Sequence, residues 1–227
     1  LTLEGVNKVE SINILNLSNY KKKKIEIGFE KEKKFIPFID TDFYEEIKKE
    51  EYNYLLDNLN GIEHFINLKV LDCRFNKLKN INLSKNTKLE LLDIQYNSLN
   101  TLNLINNKNL RVLNCKINLI TNINLDNNNE LRFIELGFNK LYNISINNQK
   151  NLQEFNCRYN KLTQVNLSNN PNLEEIDLTN NNLNELNISD NKSLKKIYCR
   201  ENNLSNINLN NNISLEFLEC QGNPLTN

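Results

Sequence analysis

From Leu68 onward the chain restarts every twenty-one residues, at Leu89, Leu110, Leu131, Leu152, Leu173, Leu194 and Leu215, with no insertion. A fixed period of this length specifies a solenoid, in which each unit packs on its neighbours and cannot bury its apolar side alone. Counted from that Leu, position 4 is apolar in every unit (Leu71, Leu92, Leu113, Ile134, Phe155, Ile176, Ile197, Leu218). So is position 6 (Cys73, Ile94, Cys115, Leu136, Cys157, Leu178, Cys199, Cys220). Position 11 is Leu or Ile throughout, and positions 14 and 16 are apolar in all complete units. The pairs 4/6 and 14/16 alternate with polar residues, which is strand spacing. Each unit therefore holds two short strands, one on each side of the coil.

Position 9 is Asn in all eight units, from Asn76 to Asn223, and position 19 is a second amide column from Asn86 to Asn212, interrupted by Gln149. An amide in register with core Leu positions points inward and can donate and accept along the stack, satisfying the backbone of adjacent turns. These columns read as structure, not as a ligand site.

The pattern LxxLxCxxNxL resembles the leucine-rich repeat, over Leu68 to Asn227. The second short strand in place of a helix resembles a bacterial class of twenty-one-residue repeats found in cell-surface and secreted proteins related to internalins. The usual Asp of that class at position 15 is here Asn82, Asn103, Asn124, Asn166, Asn187 and Asn208, with Ser145, so an exposed column is neutral where the class has it anionic. The stretch IPFIDTDFYEEI resembles a helix that precedes such repeats, and LNGIEHFINL resembles the lead-in to the first of them. The resemblance implies a mainly β leucine-rich-repeat solenoid with strands on both sides, nearly straight, with an N-terminal α/β cap. Residues 68–227 form the solenoid, eight units with the last incomplete, and 1–67 the cap.

Within the cap, Ser11–Leu17 and Ile25–Phe29 are expected to be strands that could pair as a hairpin, and 40–59 a helix followed by an entry turn, with Asp42 and Glu45 as a capping box. The lysines at 21–24 and 31–34 read as a solvated face, since no aromatic residues interleave with them for stacking on bases. The eighth unit stops before its second strand, so the chain is expected either to continue or to make an end-to-end contact there.

The 28 basic and 28 acidic residues balance, which argues against a general nucleic-acid or membrane-surface role, and no apolar run is long enough to span a membrane. All five Cys occupy inward position 6 as small core residues, and are expected to be reduced. The single His, His64, lies in the lead-in, and with no His in the repeats and only five Gly there is no nucleophile–base pair, phosphate loop or metal cluster. No catalytic residue, cofactor or metal is expected. The remaining readings are a module that binds a partner protein, a structural spacer or stalk of a larger surface protein, and a glycan-binding adhesin. An extracellular or cell-surface setting follows from the resemblance; a cytoplasmic one stays open.

The outward face of the first strand separates these readings. Position 8 runs Phe75, Tyr96, Ile117, Phe138, Tyr159 and then turns polar, and position 3 runs Val70, Leu91, Val112, Phe133 before Glu154, Glu175 and Lys196. A spacer gives no reason for that asymmetry, whereas an exposed apolar patch marks an interface. Position 7 is basic on alternate rungs, at Arg74, Lys116, Arg158 and Arg200, and position 5 is acidic on the others, at Asp93, Glu135, Asp177 and Glu219, with Asp72 as an extra. Alternation keeps like charges off adjacent rungs about 4.8 Å apart and sets each base diagonal to an acid. The expected partner site is Phe75, Tyr96, Phe133, Phe138 and Tyr159, bordered by Arg74, Lys116 and Arg158, with open space beside Gly137.

Overall fold

The structure, a computed structural model, describes residues 14–16 and 55–226. Its strands are β1 (Ile14–Asn16), β2 (Val70–Asp72), β3 (Leu91–Asp93), β4 (Val112–Asn114), β5 (Phe133–Glu135), β6 (Asn143–Ser145), β7 (Glu154–Asn156), β8 (Gln164–Asn166), β9 (Glu175–Asp177), β10 (Lys196–Tyr198) and β11 (Phe217–Glu219). Nine of them form one parallel sheet in the order β1-β2-β3-β4-β5-β7-β9-β10-β11. Within the repeats the register steps by whole units, Leu71 against Leu92 against Leu113, so positions 3–5 of every unit are one strand. In units 1 to 7 the Leu residues at positions 1, 4 and 11 are buried, in one continuous core with Ile134 and Phe155, while on the last rung Leu215 and Leu218 are half-buried and Leu225 is exposed.

The position 9 column is the internal scaffold. In Asn139 the Nδ2 donates to the carbonyls of Cys115 in the preceding turn (3.0 Å) and of Leu136 (3.0 Å) and Gly137 (3.3 Å) in its own. Its Oδ1 accepts from the Ile120 N–H at 3.0 Å. Asn118, Asn160, Asn181 and Asn202 reach one turn back in the same way. Position 19 does a similar job on the other side: Asn107 donates to the carbonyls of Leu83 (3.1 Å) and Asn86 (2.9 Å). Each amide serves two turns, which is why this residue recurs where apolar residues would otherwise stand.

The second side carries no helix among the described residues, but its strand ladder is local. β6 pairs β8, Thr101 bridges Asn122, and elsewhere the chain is extended without a ladder. Position 15 carries a local turn in most units. Asn82, Asn103, Asn124, Asn166, Asn187 and Asn208 each accept the N–H two residues on at 2.8–3.1 Å, a side-chain turn that competes with pairing between units. Ser145 has no amide oxygen, and from its unit the Ile146 and Asn148 N–H groups reach forward to Asn166 (3.2 Å) and Ser168 (3.1 Å).

β1 adds a rung before the first repeat, parallel to β2 with Leu15 opposite Leu71 and packed against the core. The spacing Ile12-x-x-Leu15-x-Leu17 fits positions 1, 4 and 6, so this segment is a degenerate repeat separated from the array by a long insertion. Its expected hairpin partner Ile25–Phe29, the lysine runs and the helix from residue 40 to 54 lie outside the described residues. The lead-in completes the turn ahead of unit 1. Gly61, at φ 94°, starts a 3-10 turn over Ile62–His64, Leu59, Ile62 and Phe65 are buried, and Asn86 donates to the Ile62 and Phe65 carbonyls. His64 is exposed at its surface.

The five cysteines are free thiols, with Cys73, Cys115, Cys157 and Cys199 buried and Cys220 half-buried on the last rung. Burial pushes the Cys199 thiol up to about 12 and raises those of Cys73, Cys115 and Cys157 as well. Alkylation needs the thiolate and access to it. Iodoacetamide is therefore expected to label Cys220 alone in the native protein, the other four reacting only as the stack unfolds; mass mapping of the labelled peptides reads this directly.

Candidate binding groove

Position 8 adopts the left-handed conformation in all eight units, with φ between 52° and 57° for Phe75, Tyr96, Ile117, Phe138, Tyr159, Asn180 and Glu201 and 72° for Gly222. The turn after each strand requires it, so the chain leaves the sheet and brings the position 9 amide inward. For a residue other than Gly this costs roughly 1–2 kcal/mol. Phe75 and Tyr96 stack at 4.6 Å, and Phe138 and Tyr159 at 4.4 Å with planes 11° apart. Ile117 divides the column into these two pairs.

The two pairs have different surroundings. Phe75 is buried at 7% exposure, Tyr96 is half-buried, and the outward side chains Val70, Asp72, Leu91, Asp93 and Gln95 of units 1 and 2 are all buried. Arg74 is closed onto Asp72 by two bonds of 2.9 and 2.8 Å. Phe75 and Arg74, expected to contact a partner, thus belong to the packed part of the molecule. Phe138 and Tyr159 are 37% and 44% exposed. A groove of roughly 550 Å³ runs along the outward face from unit 3 to unit 8, lined by the predicted Lys116, Phe133, Arg158 and Tyr159; Phe138 reaches it only through its stack on Tyr159. Tyr198 and Glu219 carry it further than the apolar columns suggest. Tyr198 breaks the charge pattern at position 5 and packs obliquely on Phe217 at 5.3 Å, an aromatic signal in the sequence that the position 3 and 8 columns do not contain.

The diagonal pairing of charges is realised on three of four diagonals. Arg74 reaches Asp93 at 3.5 Å, Arg158 reaches Asp177 at 3.5 Å and Arg200 reaches Glu219 at 3.3 Å. The fourth, Lys116 to Glu135, is not an ion pair; the Glu135 carboxylate accepts the Gly137 N–H at 2.9 Å, as the position 5 side chains of other units accept the N–H two residues on. A Cβ at residue 137 would lie 2.8 Å from Glu135 Oε1 and 3.3 Å from Arg158 Cγ, so the space beside Gly137 is filled by its neighbours rather than open. Burial holds the Glu135 carboxyl above its usual range and the Lys116 ammonium below its own.

Asp93 is a second buried acid, stacked on Asp72 in the adjacent strand and sharing Arg74 with it. Burial pushes its carboxyl up to about 7, although Arg74 and the Gln95 amides pull it down. The folded state therefore holds this proton more tightly than the unfolded chain. The stability that follows is fully present below the ordinary Asp range and is lost as pH rises through about 7. Asp93→Asn is expected to stabilise the protein at pH 8, on the order of 1–2 kcal/mol after the shared Arg74 is discounted, and to leave it nearly unchanged at pH 4. Urea unfolding at the two pH values measures the difference.

Neither a protein-family model nor a curated protein sequence matches the chain. Solved structures do match. The chain is a leucine-rich-repeat protein of the twenty-one-residue, two-strand class, similar to internalin-like proteins. The functional domain of InlJ from Listeria monocytogenes, which includes a cysteine ladder, superimposes with a TM-score of 0.73 at 33% identity over 75% of this chain. A leucine-rich-repeat protein of Leptospira interrogans (TM-score 0.59, 20% identity, 77% of this chain) and internalin C2 of Listeria monocytogenes (0.54, 19%, 77%) share the fold. The chain spans 38% of the InlJ chain, 54% of the Leptospira protein and 71% of internalin C2. These neighbours are leucine-rich-repeat proteins, a generally non-enzymatic family whose members are protein-interaction modules. No helix of the described residues is long and apolar enough to cross a membrane.

Proposed function

We propose that the protein is a non-enzymatic recognition module that binds a segment of a partner protein in the outward groove of units 3–8. The observation that carries this reading is the exposed Phe138–Tyr159 stack beside a groove floored by Phe133 and walled by charge. Flat aromatic rings offer contact area at low entropy cost and dominate interface hot spots. The second side bears short polar side chains at position 15, such as Asn103 and Asn166. The likeness to internalins supports an extracellular or cell-surface setting. It also supports a protein ligand over a nucleic acid, as does the balance of charge.

The test is selection of binders to the immobilised full chain from a random-peptide display library. Phe138→Ala and Tyr159→Ala should each weaken the selected peptides by about 2 kcal/mol, the hot-spot scale, with thermal stability nearly unchanged. Asn103→Ala and Asn166→Ala should leave binding intact. Loss of stability with binding spared would make the rings a structural stack and favour the spacer reading.

A further inference from the structure

The groove contains two cations that the fold leaves incompletely matched. Lys116 is 7% exposed, lines the groove, and its ammonium has neither a hydrogen bond nor an ion pair among the described residues. Its diagonal acid is held down on Gly137. Arg158 makes one long contact to Asp177 at 3.5 Å, and its Nε is buried with no hydrogen-bond partner. The two come from the rungs before and after Phe138, each 5.6 Å from the centroid of its ring.

The rest of the array shows that this is not the default for position 7. Arg74 has an acid in its own unit, Asp72, and binds it through both oxygens; Lys116 and Arg158 have Asn114 and Asn156 at that place. Arg200 reaches its diagonal acid. A nearly buried ammonium that the nearby Glu135 and Asp177 do not contact as ion pairs is costly, and the cost is recovered when an anion enters.

We infer that Lys116 and Arg158, on either side of Phe138, form an anion-recognition point that takes a side-chain carboxylate of the partner polypeptide. The inference rests on the groove being the binding site and adds the chemistry of what enters it. A single Asp or Glu fits better than a polyanion. The opposite wall of the groove carries Glu154 and Glu175, and Asp177 and Glu219 lie along it, so a run of phosphates would meet like charge within a few rungs. The carboxylate would enter between the two cations, beside the Phe138–Tyr159 stack.

The same peptide selection tests this with two further readouts. Selected peptides should be enriched in Asp or Glu at one position, and replacing that residue by Asn or Gln should weaken them at least about 10-fold, as should Lys116→Gln and Arg158→Gln. Arg158→Gln, at a half-exposed site, serves should the buried Lys116 variant lose its fold, which a thermal melt on each variant reveals. A single-stranded oligonucleotide and inorganic phosphate should not displace the peptides. Peptides that depend on Tyr159 but show no acidic preference and no response to either cation would overturn the inference and leave the groove standing. Peptides indifferent to Phe138 and Tyr159, or an empty selection, would overturn both. Displacement by the oligonucleotide would make the cations a phosphate site and also sink the carboxylate assignment.

Discussion

Asn139→Ala is expected to lower the unfolding free energy by about 3 kcal/mol, at the upper end of what an unsatisfied buried group costs. The change removes a side chain whose amide serves two turns. The Ile120 N–H loses its acceptor and the carbonyls of Cys115 and Leu136 lose a donor, all inside the stack where water cannot replace them. Asn139→Asp should be worse, since the carboxylate keeps the acceptor but presents a second oxygen to two buried carbonyls. Because the damage falls between units 3 and 4, it should also weaken the coupling of the two halves of the array. Equilibrium denaturation should then broaden or split. A loss below about 0.5 kcal/mol would mean that the column is not the scaffold described here.

Phe155→Ala is expected to cost about 3–5 kcal/mol, the range for emptying a buried aromatic site. Phe155 is the one aromatic residue at position 4, is 1% exposed, and stands between Ile134 and Ile176 on adjacent rungs. It also lies beneath the groove. Its truncation should therefore reduce peptide binding as well as stability, unlike Tyr159→Ala, which should affect binding alone. Phe155→Leu, matching the residue of units 1 to 3, should recover most of the stability.

What could be read from the residues divides along physical lines. The period, the core columns and the inward amides were legible because each is enforced by local spacing and repeated eight times. The left-handed turn at position 8 was not, because Phe, Tyr and Ile are poor predictors of positive φ; only Asn180 and Gly222 hint at it. β1 was legible as a strand but not as a rung, since one copy of the spacing set apart from the array carries no periodicity. The aromatic columns lead to the face that carries the groove, but not to which of its units are packed and which are open. Phe75 and Arg74 look like their counterparts in later units, and burial of the outward face of units 1 and 2 is a tertiary fact that alternation does not encode. The same holds for Glu135. Charge spacing predicts its pairing with Lys116, whereas its carboxylate accepts the Gly137 N–H and makes no ion pair with Lys116 among the described residues.

The groove is tested most directly by hydroxyl-radical footprinting of the full chain, free and bound to a selected peptide. Three tyrosines make the comparison internal. Tyr159 and Tyr198 line the groove, whereas Tyr142 is 54% exposed and is not among its lining residues. Protection of Tyr159 and Tyr198, with Tyr142 oxidised at the same rate in both states, is the predicted result. Protection of Tyr142 with Tyr159 and Tyr198 unchanged would place the binding surface elsewhere on the solenoid and contradict the account.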